Sequence, residues 1–146
     1  MTLLPFNVIE MSKRILIVDD SVIILKLITM ILAKYGYEVK HALDGRDALD
    51  QLDGRNFDLV ITDLNMPNLD GISLTKEVRK MDCYSTVPIL MITSESRGSV
   101  KTEAYAAGVT SYVIKPFIVP TFLALINQLL AKDDRHVVKP EDLISS

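Results

Sequence analysis

Four apolar runs of strand length each stop abruptly at a polar residue. Ile15-Leu16-Ile17-Val18 ends in Asp19-Asp20, and Leu59-Val60-Ile61-Thr62 ends in Asp63. Ile89-Leu90-Met91-Ile92 ends in Thr93, and Tyr112-Val113-Ile114 ends in Lys115-Pro116. Runs that are apolar without alternation are what strands become when both faces of a sheet are covered, as in parallel sheets. Segments of helical spacing separate the runs. Strand followed by helix, five times over with short connections, predicts a doubly wound α/β domain with right-handed crossovers. In such a sheet the carboxyl ends of the strands share one edge, and ligands bind there. The acids, the hydroxyl and the amine are therefore expected at one place.

In detail, strands are expected at residues 14–18, 37–42, 59–63, 87–93 and 111–114. The second is the more polar and belongs at a sheet edge. Ser21 is placed to cap a helix reaching Tyr35, with Gly36 as its stop. Asp44-Gly45 opens a helix over 46–52, and Asp53-Gly54 closes it. Further helices are expected over 72–81, over 99–107 before Gly108, and from about Pro120 to Ala131. Asn65 to Gly71 is a loop by composition. These limits give an N-terminal extension (1–12), a folded domain (13–131) and a polar tail (132–146).

A chain of 146 residues, 49% hydrophobic and 24% charged, can bury a core without disulfides or structural metal. The net charge is -3 and no basic block is present, so direct nucleic-acid binding is not expected. Cys83 is alone, which excludes a disulfide framework or a cysteine metal cluster and fits a reducing, cytoplasmic setting. No apolar stretch reaches membrane-spanning length, and residues 1–10 lack the basic start of a signal peptide. His41 and His136 have no nucleophile or ligand partner nearby in sequence and are read as incidental.

Three carboxylates at neighbouring strand ends, those of Asp19, Asp20 and Asp63, repel one another unless a cation sits among them. Mg²⁺, or Mn²⁺ in its place, takes oxygen ligands and bridges carboxylates to phosphate. Asp63 stands alone on its strand and is the candidate nucleophile, giving an aspartyl phosphate on attack at phosphorus. Lys115 would neutralise charge on the transferring oxygens, and Thr93 could donate a hydrogen bond to one of them.

With Val18-Asp19-Asp20, Asp63-Leu64-Asn65-Met66-Pro67, Asp70-Gly71, Thr93-Ser94-Glu95, Tyr112 and Lys115-Pro116-Phe117 in hand, the chain resembles the receiver domains of two-component response regulators. The resemblance runs from about Lys13 to Leu130 and is to the single-domain, chemotaxis (CheY-like) type. It implies a flavodoxin-like five-stranded parallel sheet of order 2-1-3-4-5 with five helices. It implies that Asp63 accepts a phosphoryl group from a sensor histidine kinase. Asp20 and Asp63 would bind Mg²⁺ directly, with Asp19 in support and the Asn65 backbone carbonyl completing the shell. Lys115 would contact the phosphoryl group, and Thr93 and Tyr112 would move as a switch. Asn65 and Glu95 would tune the lifetime of the phosphate.

Two surfaces follow. On the first helix, Ile24, Leu27, Ile28, Ile31 and Leu32 suffice for the core, which leaves Val22 and Leu25 to dock a kinase helical bundle. Lys101, Tyr105, Tyr112 and Leu125, on the last two βα units, form the face that meets a downstream protein target in similar receivers. A monomer or weak dimer is expected. The reading is a stand-alone phospho-acceptor rather than an enzyme. A phosphorelay shuttle to a histidine phosphotransfer protein and a phosphate-independent interaction module are the alternatives. An aspartyl phosphatase is disfavoured because Asn65 stands where such enzymes place their second acid.

Overall fold

The computed structural model describes residues 12–131 except residue 55. The extension before Ser12, the tail and His136 lie outside the described residues. The chain divides into two units, Met1–Lys115 and Pro116–Ser146.

The first unit holds all five strands: β1 (Arg14–Val18), β2 (Glu38–Ala42), β3 (Leu59–Thr62), β4 (Ile89–Thr93) and β5 (Ser111–Ile114). They pair in parallel in the order β2-β1-β3-β4-β5. The chain therefore has the expected doubly wound sheet, with five helices over both units. Ile15 to Val18, Leu59 to Ile61 and Ile89 to Ile92 are all buried, as continuous apolar runs require. β2 is polar and exposed at one edge. β5 was grouped with the buried runs, but it is the opposite edge: its residues are half-buried and Ile114 is 41% exposed. One neighbouring strand in place of two is the reason.

Four helices belong to this unit: α1 (Val22–Lys34), α2 (Gly45–Gln51), α3 (Gly71–Lys80) and α4 (Gly98–Ala107). Side chains cap three of them. Ser21 Oγ accepts the Ile24 amide at 3.3 Å, Asp44 Oδ1 the Asp47 amide at 2.8 Å, and Asp70 Oδ1 the Ser73 amide at 2.7 Å. Ala48 and Leu52 with Ile72, Leu74, Val78 and Ala104 form one core with Leu16, Val18, Val60, Ile89 and Met91. A 3₁₀ turn at Asp82–Tyr84 lies between α3 and β4 and buries Tyr84. Cys83 beside it is exposed and free.

The burial phase of α1 corrects the sequence reading. Leu25 is 3% exposed and forms the inward stripe with Ile28 and Leu32. It is core, not a docking residue. Leu27, assigned to the core, is 47% exposed, together with Val22, Ile23 and Met30. The Ser21 cap fixes where the helix begins and hence which face turns inward. A sequence apolar on every side gives no contrast from which to read that phase.

Arg79 is a second element not anticipated. Its guanidinium donates to the carbonyls of Val87 and Gly108 at 2.7 Å and of Tyr84 at 3.1 Å. It thereby ties α3 to the 3₁₀ segment, the approach to β4 and the end of α4. Burial lowers its pKa from the usual arginine value.

The second unit contributes α5 (Val119–Ala131), which buries Phe122, Ile126, Leu129 and Leu130 at helical spacing. The Phe117 ring lies 4.6 Å from that of Phe122. Leu125 is half-buried on this helix. No helix among the described residues is long and apolar enough to cross a membrane.

Candidate functional site

Parallel pairing brings the ends of β1 and β3 side by side: Val18 pairs with Thr62, and the Asp63 amide donates to the Val18 carbonyl at 2.9 Å. Asp19, Asp20 and Asp63 thus meet, each offering a carboxylate oxygen within 4.8 Å of the others. At the end of β4, the Thr93 carbonyl accepts the Lys115 amide at 2.8 Å and so fixes where the lysine leaves β5. The Lys115 ammonium reaches back to Asp19 Oδ2 at 3.4 Å and Asp63 Oδ2 at 3.5 Å. The four strand ends converge as expected.

Charge decides what this site can hold. Three carboxylates against one ammonium leave two formal negative charges uncompensated. Burial pushes the Asp19 carboxyl above its usual range, and the charge of Asp63 pushes the same way. The Ser21 amide, donating to Asp19 Oδ1 at 2.8 Å, and Lys115 partly restore the ionised form. A hard divalent cation with oxygen ligands supplies the missing two charges, so the donor set fits Mg²⁺ or Mn²⁺. Asp63 has one oxygen engaged by the Leu64 amide at 2.7 Å, and its other oxygen faces Lys115. It is partly accessible, whereas Asp19 is buried and Asp20 exposed.

Thr93 is buried, and its hydroxyl oxygen accepts the Glu95 amide at 3.2 Å. The carbonyl of the same Glu95 accepts the Tyr112 hydroxyl at 2.8 Å. One peptide-linked residue therefore joins the two side chains expected to switch. Lys101 sits 5.9 Å from the Tyr112 ring centre, and the Tyr105 ring lies 6.5 Å from it. Three of the four expected target-face residues cluster in the first unit. Leu125 belongs to the second.

Three contributors were missed in the sequence. Arg97 grips Glu95 through its Nε at 2.9 Å, its Nη2 at 3.0 Å and its own amide at 3.0 Å, holding the Glu95 carboxyl down at about 2. Ser21, read only as a helix cap, also orients Asp19. Gly71 donates its amide to the Leu64 carbonyl at 2.8 Å, and a Cβ there would lie 2.2 Å from the Asp63 carbonyl oxygen. Only glycine lets α3 begin this close to the residue that follows β3. Asp70-Gly71 stood among the residues that carry the resemblance, but close approach leaves no mark beyond the glycine itself.

The response regulator receiver domain model matches residues 15–127. The chain belongs to the response regulator receiver family. This receiver is 34% identical over 126 residues to chemotaxis protein CheY-3 of Vibrio cholerae, covering 86% of this chain and 97% of the relative. The structure of CheY4 from Vibrio cholerae matches with a TM-score of 0.78 at 38% identity, over 82% of this chain and 99% of that one. A CheY-like receiver from Methanospirillum hungatei JF-1 matches at 0.80 with 28% identity, over 86% and 98%. The CheY-like resemblance drawn from the strand-end residues is thus established at the level of family and fold.

Proposed function

We propose that this receiver is a phospho-acceptor switch of the chemotaxis or motility type, with Asp63 as acceptor in a Mg²⁺-dependent reaction. The observation that carries the reading is Lys115 held between Asp19 and Asp63, with Asp20 completing the acid cluster. Asp19, Asp20 and Asp63 would hold the cation, with the Asn65 backbone carbonyl, and the cation would neutralise the transferring oxygens. Asp63 presents a carboxylate oxygen to phosphorus. The new O–P bond forms as the P–N bond of a kinase phosphohistidine breaks, and the imidazole leaves. Lys115 balances charge on the transferred oxygens. The protein promotes its own phosphorylation and hydrolysis and turns over no separate substrate. Glu95 and Asn65 bear on how readily water reaches the product.

The hydrogen bonds supply the coupling. When the Thr93 hydroxyl turns toward a phosphoryl oxygen, the Glu95 amide loses its acceptor, and the next peptide unit, whose carbonyl holds Tyr112, loses the anchor before it. Tyr112, Lys101 and Tyr105 then change as one face, and output is binding of a separate protein target. For input, the exposed row of Ile23, Leu27 and Met30 beside Val22 on α1 is the surface we assign to the kinase helical bundle. We place the switch in the cytoplasm.

Intact mass after incubation with a small acyl phosphate and Mg²⁺ tests the reading. One phosphoryl adduct is expected, absent without Mg²⁺ and absent in Asp63→Ala. No adduct in the wild type, with the donor active on another receiver, overturns it in favour of a phosphate-independent module.

A further inference from the structure

The loop between β3 and α3 runs from the phospho-acceptor through Asn65 to Gly71. Pro67 fixes its own φ and biases Met66 toward extended backbone. Asn68 follows at φ 69°, the one non-glycine residue with positive φ among the described residues. The Leu69 amide donates to the Pro67 carbonyl at 2.7 Å, closing a three-residue turn centred on Asn68. A turn of this kind is strained and persists only where its surroundings hold it.

A neighbouring loop does so. The Asn68 side-chain amide donates to Asp44 Oδ2 at 2.6 Å, across 24 positions of sequence. The other oxygen of that carboxylate caps α2 through the Asp47 amide at 2.8 Å. One aspartate therefore fastens the acceptor loop to a helix end. The next residue seats against the same corner: a Cβ on Gly45 would fall 2.6 Å from the Leu69 carbonyl oxygen and 2.7 Å from Leu69 Cβ. The Asp44 carboxyl is held below the usual range by the Asp47 amide and then by Asn68, so it is ionised and a strong acceptor.

We infer that Asp44 and Asn68 are positioning residues for the cation end of the site, their hydrogen bond holding the loop that carries Asn65 against the acid cluster. The inference rests on the phospho-acceptor reading and extends it to two residues that touch neither phosphate nor metal. Fixing Asn68 fixes the path of a stiff three-residue lead from Asn65. Releasing it leaves the acids in place and loosens the backbone beside them.

The test uses the whole chain and Mg²⁺ alone, read as amide shifts in an NMR titration. Asp44→Ser still caps α2 but is too short to reach Asn68, and Asn68→Gly keeps the positive φ while losing the bond. Each is expected to weaken Mg²⁺ binding about 3–10-fold, below the range typical of side chains that hold a ligand directly. The double variant binds no more weakly than the weaker single, since both remove one bond. Asp44→Asn keeps its one oxygen on the Asp47 amide and turns its NH₂ toward Asn68, which re-forms the bond by turning its own amide over to accept, and the affinity returns to within about twofold of the wild type. At saturating Mg²⁺, the rate of adduct formation from a small acyl phosphate returns to the wild-type value. Singles that bind Mg²⁺ like the wild type, or losses that multiply in the double, overturn the inference and leave the phospho-acceptor reading intact. A wild-type chain that shows no Mg²⁺-dependent shifts overturns both.

Discussion

Asp20→Asn separates the two effects of the acid cluster, its cost to the empty fold and its affinity for a cation. The amide has the shape of the carboxylate, and Asp20 is exposed, so the variant changes charge with little change in packing. The carboxylate oxygens lie within 4.8 Å of one another. At that separation each like-charge pair costs about 0.9 kcal/mol in water and about 1.7 kcal/mol at an effective dielectric of 40. Asp20 takes part in two such pairs, and Lys115 and salt offset part of the sum. A net gain of about 1 kcal/mol in unfolding free energy without Mg²⁺ is expected for Asp20→Asn. With Mg²⁺ at 100 times its Kd the wild type gains about 2.7 kcal/mol. A variant whose affinity has fallen about 100-fold gains only about 0.4 kcal/mol at the same concentration. The order of stabilities should therefore invert. Urea unfolding with and without Mg²⁺ reads this directly, as a crossing of the two midpoints. If Asp20→Asn is the less stable protein in EDTA, the acids do not repel as the geometry requires; if Mg²⁺ raises both midpoints equally, Asp20 does not share in holding a cation.

Gly71→Ala should destabilise the fold by about 1–3 kcal/mol despite the better helix propensity of alanine, because its Cβ meets backbone that cannot step aside. Denaturant midpoints check this, and an unchanged or raised midpoint would show that α3 can back away from Asp63. Arg79→Met removes three short carbonyl contacts from a charged donor and should cost about 2–4 kcal/mol, with Arg79→Lys in between because a point ammonium cannot reach all three. A loss under about 0.5 kcal/mol in urea unfolding would mean water replaces the guanidinium. The Glu95 carboxyl, at about 2 in the folded chain, sits below its unfolded value of about 4.3. Its contribution to stability is therefore present above about pH 4.3 and fades as pH falls toward 2. Side-chain NMR titration should find that value and see it return to the ordinary range in Arg97→Ala. A normal wild-type value would refute the Arg97 grip.

The central strands and the site were legible for the same reason. Parallel strands buried on both faces read as unbroken apolar runs, and the sheet then delivers whatever polar residue follows each run to a single edge. Asp19, Asp20, Asp63, Thr93 and Lys115 needed only that geometry. Leu25 and Leu27 were assigned to the wrong faces because α1 is apolar almost all round, so the period of the helix is present but its phase is not. Ile114 was over-buried because strand composition does not say how many neighbours a strand will have. Arg79 and the Asp44–Asn68 pair left no local signal. Their partners are backbone carbonyls or lie far off in sequence, and an arginine late in a helix or an asparagine in a turn is ordinary in itself.

The peptide of Glu95 stands between Thr93 and Tyr112, and it does so with main-chain atoms only. In the switch we propose, what passes between Asp63 and the outer face is carried by the Glu95 main chain, whose path its own carboxylate helps to set through the Arg97 amide. Glu95 can be exchanged for any side chain that leaves the backbone path alone, and the wire stays connected. In that proposal the side chain bears on the lifetime of the phosphate while the main chain carries the message. On the proposed reading, drift at this position would retime the switch without disconnecting it, which is a ready means for one scaffold to serve signals of very different duration.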